Sequence, residues 1–466
     1  MKISTQFRRK ASVIMLTPVF ALLAACGGGA EAPVDAAAAE ISVHPENHLQ
    51  ESSASAQSSA MDTVENGAVR PSDYEPSASP AVIGGANNEA APASQEQGTI
   101  TSSPMSNEPV VQPNQFYATS VSVAAGGRDP LKQPFASNSI WNMPLGSGAI
   151  YVPAKLSANP GNNIWAAMPG IDDEKIIMKP TSPLVSVNHS NAGWTGKNRC
   201  TATGSLLFKV PMPSTYVVPN TNKNSSAAFL MPDRRTIVQT QPLARCTSGG
   251  SATSMAKFSN VDLYGTGITG AHGGSGLSAI GGSIRLGELR PGTTTGPRHA
   301  LKVNVYAKEA LYKCTTRAAC SRWPAVNSDS YAVGWYGSAN RNSNTAMKMG
   351  ALLAIHPSTS IASLGLETMP AKQLAWTLQN YGAYIVDDTY AAGFDFNVED
   401  GPDGSKKDEF RKDWGFDMAQ RVQGNTAWVR DIQRLVKALH VVNNNGPTSI
   451  GGGGTPRQPL ALPIAP

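Results

Sequence analysis

The chain has 466 residues and a net charge of +5, from 38 basic and 33 acidic side chains. After the first 26 residues, no segment combines the length and apolarity of a transmembrane helix, which argues against a membrane-spanning protein. No stretch matches a nucleic-acid-binding module, so a nucleic-acid partner is not expected either.

The chain begins with a targeting segment, residues 1–25. A basic start precedes an apolar run, Val13–Leu23, that is too short to span a bilayer. The run ends in Leu23-Ala24-Ala25-Cys26, which resembles the lipobox of bacterial lipoproteins. The resemblance implies that Cys26 is lipidated and becomes the mature N-terminus, and Gly27 after it implies sorting to the outer membrane. The protein would then be lipid-anchored there and face the periplasm or the cell surface. The alternative is an ordinary secretory signal that happens to contain a cysteine.

Residues 26–127 predict a disordered tether behind the lipidated cysteine. They are rich in Ala, Ser, Pro and Glu and show no helical or strand period, so they cannot bury enough apolar area to fold. This segment holds twelve acidic residues and one basic residue, which leaves the rest of the exported chain with 33 basic and 21 acidic residues, or +12. A basic domain outside the cell suggests an anionic partner, and we rank an acidic polysaccharide first. The alternative is that this charge serves only solubility.

The remaining cysteines predict two disulfides. With Cys26 lipidated, four are left in an exported chain, and an even number favours pairing. Three pairings are open, and proximity in the sequence favours Cys314–Cys320 and Cys200–Cys246. Zinc is not expected, because the cysteines form no Cys-x-x-Cys pair and no paired histidines accompany them.

Residues 128–445 predict one globular, mainly β domain. Short alternating runs broken by Gly, Pro and Asn continue to about Tyr306, and they favour an antiparallel β-sandwich or jelly roll. Two or three accessory helices are expected toward the C-terminus, one behind Thr368 and one over 426–439. A Gly/Pro-rich tail, 446–466, follows. The individual strands that we predict are Leu206–Val210, Thr236–Gln241, Ser283–Leu289, Ala300–Ala307 and Tyr384–Val386.

The best candidate site lies around a Gly/Ser-rich loop centred on His272. We expect Ser283–Leu289 and Ala300–Ala307 to pair behind it as a hairpin. Glycine at this density lets the backbone approach a ligand or another segment closely. The predicted catalytic set joins the proton-handling and anion-binding side chains of this region: His272, Arg285, Glu288, His299 and Tyr306. Lys302 and Asn304 share a polar strand face with Tyr306 and are predicted to bind substrate, as are His189 and Trp194 in a separate loop.

Two resemblances concern this domain. Pro134-Phe-Ala-Ser-x-Ser-x-Trp141-Asn142, His272-Gly-Gly-Ser-Gly-Leu-Ser278, Ile284-Arg-Leu-Gly-Glu-Leu289, His299-Ala-Leu-Lys-Val303 and Tyr381-Gly-Ala-Tyr-Ile-Val-Asp-Asp388 resemble an uncharacterised group of secreted bacterial proteins. That resemblance implies the extent of the domain and its export. Arg285-Leu-Gly-Glu288 is also similar to the Arg-x-Glu-Leu strand of jelly-roll alginate lyases, with one additional residue between Arg and Glu.

Two chemistries follow from these residues. A polysaccharide lyase needs a cation or amide (Arg285, Lys302 or Asn304) to neutralise the uronate and a base (Tyr306, His272 or His299) to take its proton. A glycoside hydrolase needs two carboxyl groups, and Glu288 would pair with Asp262, Asp387, Asp388, Asp395 or Glu399. No cofactor is expected. The acidic run Asp395–Gly404 has oxygen atoms that could hold calcium, but it does not follow the spacing of an EF-hand.

The sequence therefore predicts an envelope-anchored lipoprotein that engages carbohydrate and cleaves an acidic polysaccharide by lyase or hydrolase chemistry. The alternative is a non-catalytic surface protein that binds a glycan or an envelope component. The oligomeric state is left open.

Overall fold

The computed structural model describes residues 127–156, 169–389, 393–421 and 424–464. The predicted signal segment, the lipidation of Cys26 and the tether up to residue 126 lie outside the described residues. Within them, no helix is both long and apolar enough to cross a membrane.

Strands dominate the described part of the chain, which agrees with a mainly β domain. They are β1 (Tyr151–Pro153), β2 (Pro169–Ile177), β3 (Leu184–His189), β4 (Leu206–Pro211), β5 (Ala227–Leu230), β6 (Thr236–Gln241), β7 (Ala252–Ser254), β8 (Ala256–Lys257), β9 (Val261–Asp262), β10 (Leu301–Val305), β11 (Leu352–Ile355), β12 (Ala383–Asp388), β13 (Phe394–Gly401), β14 (Gly404–Ser405) and β15 (Leu439–Val442).

The strands form one large sheet and one small sheet. The large sheet has twelve strands in the order β1-β15-β11-β12-β10-β13-β2-β5-β6-β8, with β14 beside β13 and β9 beside β6; the small sheet has the order β4-β3-β7. The pairs β10/β12, β13/β2 and β2/β5 are parallel, whereas most others are antiparallel. The sheet is therefore mixed and not the antiparallel arrangement that the alternating runs suggested. The runs specify strands, but parallel neighbours such as β2 and β13 come from distant parts of the chain, which local patterns cannot reveal.

Among the residues that the structure describes, five α-helices accompany the sheets: α1 (Ala307–Ala310), α2 (Ala332–Trp335), α3 (Met369–Asn380), α4 (Lys406–Trp414) and α5 (Ala427–Ala438). The two predicted helices are confirmed as α3 and α5. Thr368 is the N-cap residue of α3, and the Thr426 side chain accepts a hydrogen bond from the Val429 N–H at the start of α5. Their predicted apolar stripes are buried, as Leu374 and Trp428 illustrate.

The predicted hairpin of Ser283–Leu289 with Ala300–Ala307 is wrong. β10 forms as expected, but it pairs with β12 and β13. The segment 283–289 makes only an isolated parallel bridge, between Ile284 and Val398 of β13. The Gly281-Gly282 turn before it packs against Trp141 and Lys302, and there a strand side chain would collide. At that point the segment bonds to β13 beyond the residues that pair with β10, since the Ile284 N–H donates to Asn397 O and the Glu399 N–H to Ile284 O, each at 2.9 Å.

The central strands separate an apolar face from a polar one. Val303, Val305 and Phe396 belong to a core that also contains residues of α3 and α5. Lys302 and Asn304 alternate with those valines along β10 and so face the other side. This alternation was expected, but the polar face is not solvated, because Lys302 is 0% and Asn304 2% exposed.

The C-terminal segment and the cysteines complete the fold. Residues 446–464 lie against residues 145–149, with hydrogen bonds such as Gly148 N–H to Gly453 O at 2.9 Å, and Ile464 bridges to Arg128. Over its described length this segment packs as part of the domain. Both predicted disulfides, Cys200–Cys246 and Cys314–Cys320, are confirmed.

Candidate functional site

A row of buried polar side chains crosses the four central strands. In the register of the sheet, Asn304 of β10 lies opposite both Asp387 of β12 and Asp395 of β13, and Asn397 of β13 lies beside Asp172 of β2. Paired residues on neighbouring strands point to the same face, so these side chains meet on the polar face of the sheet. We call them, together with Glu174, Lys302, Asn224 and His272, the polar row.

The Gly-rich loop covers the row and inserts His272 into it. The His272 side chain is fully buried. Gly273 follows, and a Cβ atom built there would lie 2.3 Å from Asp387 Oδ2. Only glycine permits this approach, since any side chain would displace the carboxylate. The Gly274 N–H also donates to Asp387 Oδ1 at 3.0 Å. The glycines of this loop therefore serve its contact with the acidic strands.

A chain of amides links His272 to Asp172. His272 Nε2 contacts Asn397 Oδ1, and Asn397 Nδ2 donates to Asn304 Oδ1 at 3.0 Å. Asn304 Nδ2 in turn donates to Asp172 Oδ2 at 3.0 Å. Asn224 Nδ2 donates to Asp172 Oδ2 at 2.7 Å. The Asn397 and Asn304 amides each accept one contact and donate one hydrogen bond, and the Asn224 amide joins Asp172 to Asp387. The row is therefore a continuous hydrogen-bonded network.

Glu174 and Lys302 occupy the inner end of the row. Lys302 Nζ donates to the backbone carbonyls of Ser278 and Ala279, each at 3.0 Å, and lies 3.2 Å from Glu174 Oε1. His272 Nε2 lies 2.8 Å from the same oxygen atom. Burial lowers the pKa of Lys302, because the ammonium has lost its water. For His272, burial opposes the charge, but Glu174 outweighs it and raises the pKa.

Asp395 and Asp172 occupy the less buried end. They are 9% and 6% exposed, and Asn224 beside Asp172 is 8% exposed. Burial raises the pKa of Asp395 to about 7, and the negative charge of Asp172 adds to the shift. Burial and then the charge of Glu174 also raise the pKa of Asp172. Like charges crowded in a dry site resist simultaneous ionisation, so this end of the row retains protons near neutral pH.

The predicted catalytic set is divided by the structure. His272 lies in the polar row with Lys302 and Asn304, but Arg285 and His299, both buried, form a second network with the partly exposed Glu288. There His299 Nε2 lies 3.1 Å from Glu288, and the Arg285 N–H donates to Glu288 Oε2 at 2.7 Å. Arg285 Nε also donates to Glu399 Oε2 at 2.8 Å. This second network ties the 283–289 segment to β13 and so has an evident structural role.

The other predicted residues lie elsewhere. Tyr306 caps α1 and packs edge-on against Trp335, with ring centroids 6.1 Å apart. His189 ends β3 in the small sheet, where its ring lies 3.4 Å from Thr203 Oγ1. Trp194 is 2% exposed, with the Arg199 guanidinium 5.7 Å from its ring centroid. The Trp194 ring thus offers no open platform for a sugar.

The alternative acids also separate. Asp387 and Asp395 belong to the polar row, whereas Glu399 pairs with Arg285. Asp262 pairs with Arg235 at the surface, and Asp388 accepts from the Ala307 N–H at 2.9 Å. The run Asp395–Gly404 begins as β13, so its side chains alternate between faces and do not converge as in a calcium loop.

Sequence reasoning missed Asp172, Glu174, Asn224 and Asn397. Asp172 and Glu174 stand in Gly170-Ile-Asp-Asp-Glu-Lys, which is typical of a solvated turn, yet it forms the middle of β2. The available signal was the period of two that places both acids on one face. Comparison of the chain with protein-family models, curated proteins and solved structures finds no match.

Proposed function

We propose that the chain is an envelope-anchored lipoprotein that engages a carbohydrate and cleaves it at the Asp395 end of the polar row. The lipobox-like segment supports the anchor, and the +12 charge of the exported domain supports an acidic glycan. The evidence for cleavage comes from the row itself.

The single observation that carries the proposal is the position of the Asp395 carboxyl group. It lies at the least buried end of the row, and its Oδ1 atom has no hydrogen-bond partner among the described residues. With a pKa raised to about 7, the group can give or take a proton near neutral pH. Glycosidic cleavage requires such a group at the leaving oxygen.

Hydrolysis is favoured over β-elimination by a second carboxyl group nearby. Asp172 is held by the amides of Asn224 and Asn304. Asp172 would serve as the second carboxyl group that a glycoside hydrolase needs, either directly or through a ligand bound to its carboxylate. The residues that a lyase would use as base are less suitable, because His272 is fully buried, His299 is held by Glu288 and Tyr306 packs against Trp335.

A non-catalytic glycan-binding protein is the second candidate, and two observations favour it. Every member of the polar row is less than a tenth exposed, which suits a structural network. Separately, an open groove of about 600 Å³ at the surface is lined by Trp323, Thr266, Thr269 and Asp262. An aromatic side chain beside hydroxyl groups is a combination that suits a sugar ring.

The deciding experiment incubates the full-length protein with a panel of acidic and neutral polysaccharides. Reducing ends and the absorbance of unsaturated uronates are measured in parallel. We expect reducing ends to increase without the absorbance, and Asp395→Asn to lower the rate by about 10²- to 10⁴-fold. Asp403→Asn, which alters an exposed acid paired with Lys179, is the control and should leave the rate unchanged.

Each other outcome has a defined meaning. An increase in both signals would replace hydrolysis by a lyase reaction. If no polysaccharide is cleaved but one retains the protein on a column, the binding protein is the correct function. If Asp395→Asn cleaves as fast as the control variant, Asp395 is not the proton-transferring group.

A further inference from the structure

Three side chains of the polar row bring metal-ligand atoms together. Asp172, Glu174 and His272 are all buried, and one ligand atom from each lies within 4.8 Å of the other two. The two acids are two residues apart on β2 and share its polar face, and the Gly-rich loop supplies the histidine. The set comes from two distant segments, so it forms only in the folded chain.

The Glu174 carboxylate carries an oxygen atom without a partner. Glu174 is 1% exposed, and its Oε2 atom accepts no hydrogen bond among the described residues. The ion-pair distances of Glu174 to His272 and to Lys302, 2.8 and 3.2 Å, are to Oε1. An unpaired carboxylate oxygen is costly to bury. A cation bound at this oxygen would remove that cost.

The orientation of His272 fits a metal ligand. Its Nε2 faces the oxygen atoms of Glu174 and Asn397, while Nδ1 forms no hydrogen bond and points toward Asp387 Oδ2 at 3.7 Å. A histidine that binds metal through one nitrogen commonly directs its other N–H to a carboxylate. Asp387 is fixed for that role by the N–H groups of Gly274 and Asp388, at 3.0 and 2.9 Å.

The Lys302 ammonium group alone does not balance the acidic groups of the polar row. This group already donates to the carbonyls of Ser278 and Ala279, and its ion-pair contact with Glu174 is to Oε1 at 3.2 Å. The row holds four carboxyl groups, those of Asp172, Glu174, Asp387 and Asp395, against the two basic groups of Lys302 and His272. The acidic groups therefore outnumber the basic ones, and a bound cation would take the place of protons that the Asp172 end otherwise retains.

We propose that Asp172, Glu174 and His272 bind one divalent transition-metal ion, Mn²⁺ or Zn²⁺, with Asp387 orienting the histidine. Carboxylates suit manganese, and zinc takes both imidazole and carboxylate ligands, whereas calcium prefers oxygen ligands only. The ion goes beyond the proposed function, since it would place positive charge at the Asp172 end of the row. An acidic glycan at Asp395 would meet that charge.

The test measures bound metal rather than turnover, so its failure is distinct from a failure of the proposed function. The full-length protein is stripped with a chelator, reloaded with MnCl₂ or ZnCl₂, and analysed for bound metal; free Mn²⁺ is followed by its electron paramagnetic resonance signal. We expect about one ion per chain and an affinity that Glu174→Gln weakens by at least about tenfold. Glu399→Gln alters a carboxylate that is also buried but pairs with Arg285, so it is the matched control and should bind as the wild type does.

A second readout covers the case in which Glu174→Gln does not fold. Metal that binds only the folded chain raises its midpoint of thermal unfolding. The stripped wild-type protein should therefore unfold at a higher temperature when Mn²⁺ or Zn²⁺ is restored. A reloaded wild-type chain that holds no metal would overturn the proposal. So would equal metal affinities in the Glu174→Gln and Glu399→Gln variants.

Discussion

Gly273→Ala tests whether the Gly-rich loop is pressed against the acidic strands. The new Cβ atom would lie 2.3 Å from Asp387 Oδ2 and 2.7 Å from its Cγ, well inside van der Waals contact. Gly273 does not have a positive φ, so the backbone itself tolerates alanine. The whole effect must therefore come from this contact.

The magnitude follows from what the Asp387 carboxylate must give up. To make room it has to move away from the N–H groups of Gly274 and Asp388. Overpacking a buried site costs about 1–3 kcal/mol, and a hydrogen bond to a charged group contributes about 1.5–3 kcal/mol. Since part of the strain relaxes, we expect the free energy of unfolding to fall by about 2–4 kcal/mol.

Urea unfolding followed by circular dichroism measures this change, with the disulfides left intact. Gly334→Ala is the control, because a Cβ atom there has no neighbour within 4 Å. That variant should be as stable as the wild type or up to about 1 kcal/mol more stable, because Gly334 lies in α2 and alanine favours a helix. If Gly273→Ala is as stable as Gly334→Ala, the loop does not approach Asp387 closely and the placement of His272 is wrong.

Two further predictions concern stability. Burial lowers the pKa of His299, but the negative charge of Glu288 outweighs burial, so the pKa of His299 is raised in the folded protein. The ion pair of His299 and Glu288 therefore stabilises the fold fully below about pH 6.5, and this stabilisation is lost as the pH rises through the pKa of His299 in the folded protein. Urea unfolding at about pH 5.5 and about pH 8.5 should show this loss in the wild type and a smaller one in His299→Gln; equal losses would contradict it. Asp431 accepts hydrogen bonds from the Thr368 N–H and Oγ1 at 2.7 and 2.8 Å ahead of α3. Asp431→Ala should therefore lower the unfolding free energy by about 3 kcal/mol in the same assay, and a loss below about 1 kcal/mol would show that water replaces these bonds.

Local patterns were sufficient where one segment determines the outcome. The stripe of Leu374 and Leu378 predicted α3, and the alternation of Val303 with Lys302 predicted β10. In each case the period shows which side of the element is buried, and burial stabilises the element. The pairing Cys314–Cys320 was likewise predictable, because a short loop keeps its two ends close together.

The candidate site could be predicted only in part. His272 and Lys302 were chosen for their chemistry, and both lie in the polar row. Glu288 and His299 were chosen on the same grounds, yet they bond to each other in a separate network. Chemical type cannot distinguish these two cases, since both pairs consist of ionisable side chains that are mostly withdrawn from solvent.

The sequence by itself determined the local features of this protein: the alternation that forms its strands, the two amphipathic helices and the short loop that Cys314 and Cys320 close. The tertiary structure alone decided which strands became neighbours. Asp172 meets Asn397 only because β2 pairs in parallel with β13, and that contact depends on the packing of the whole sheet. The polar row depends on that pairing, because the buried carboxylates of β2 are stabilised by partners that distant segments supply.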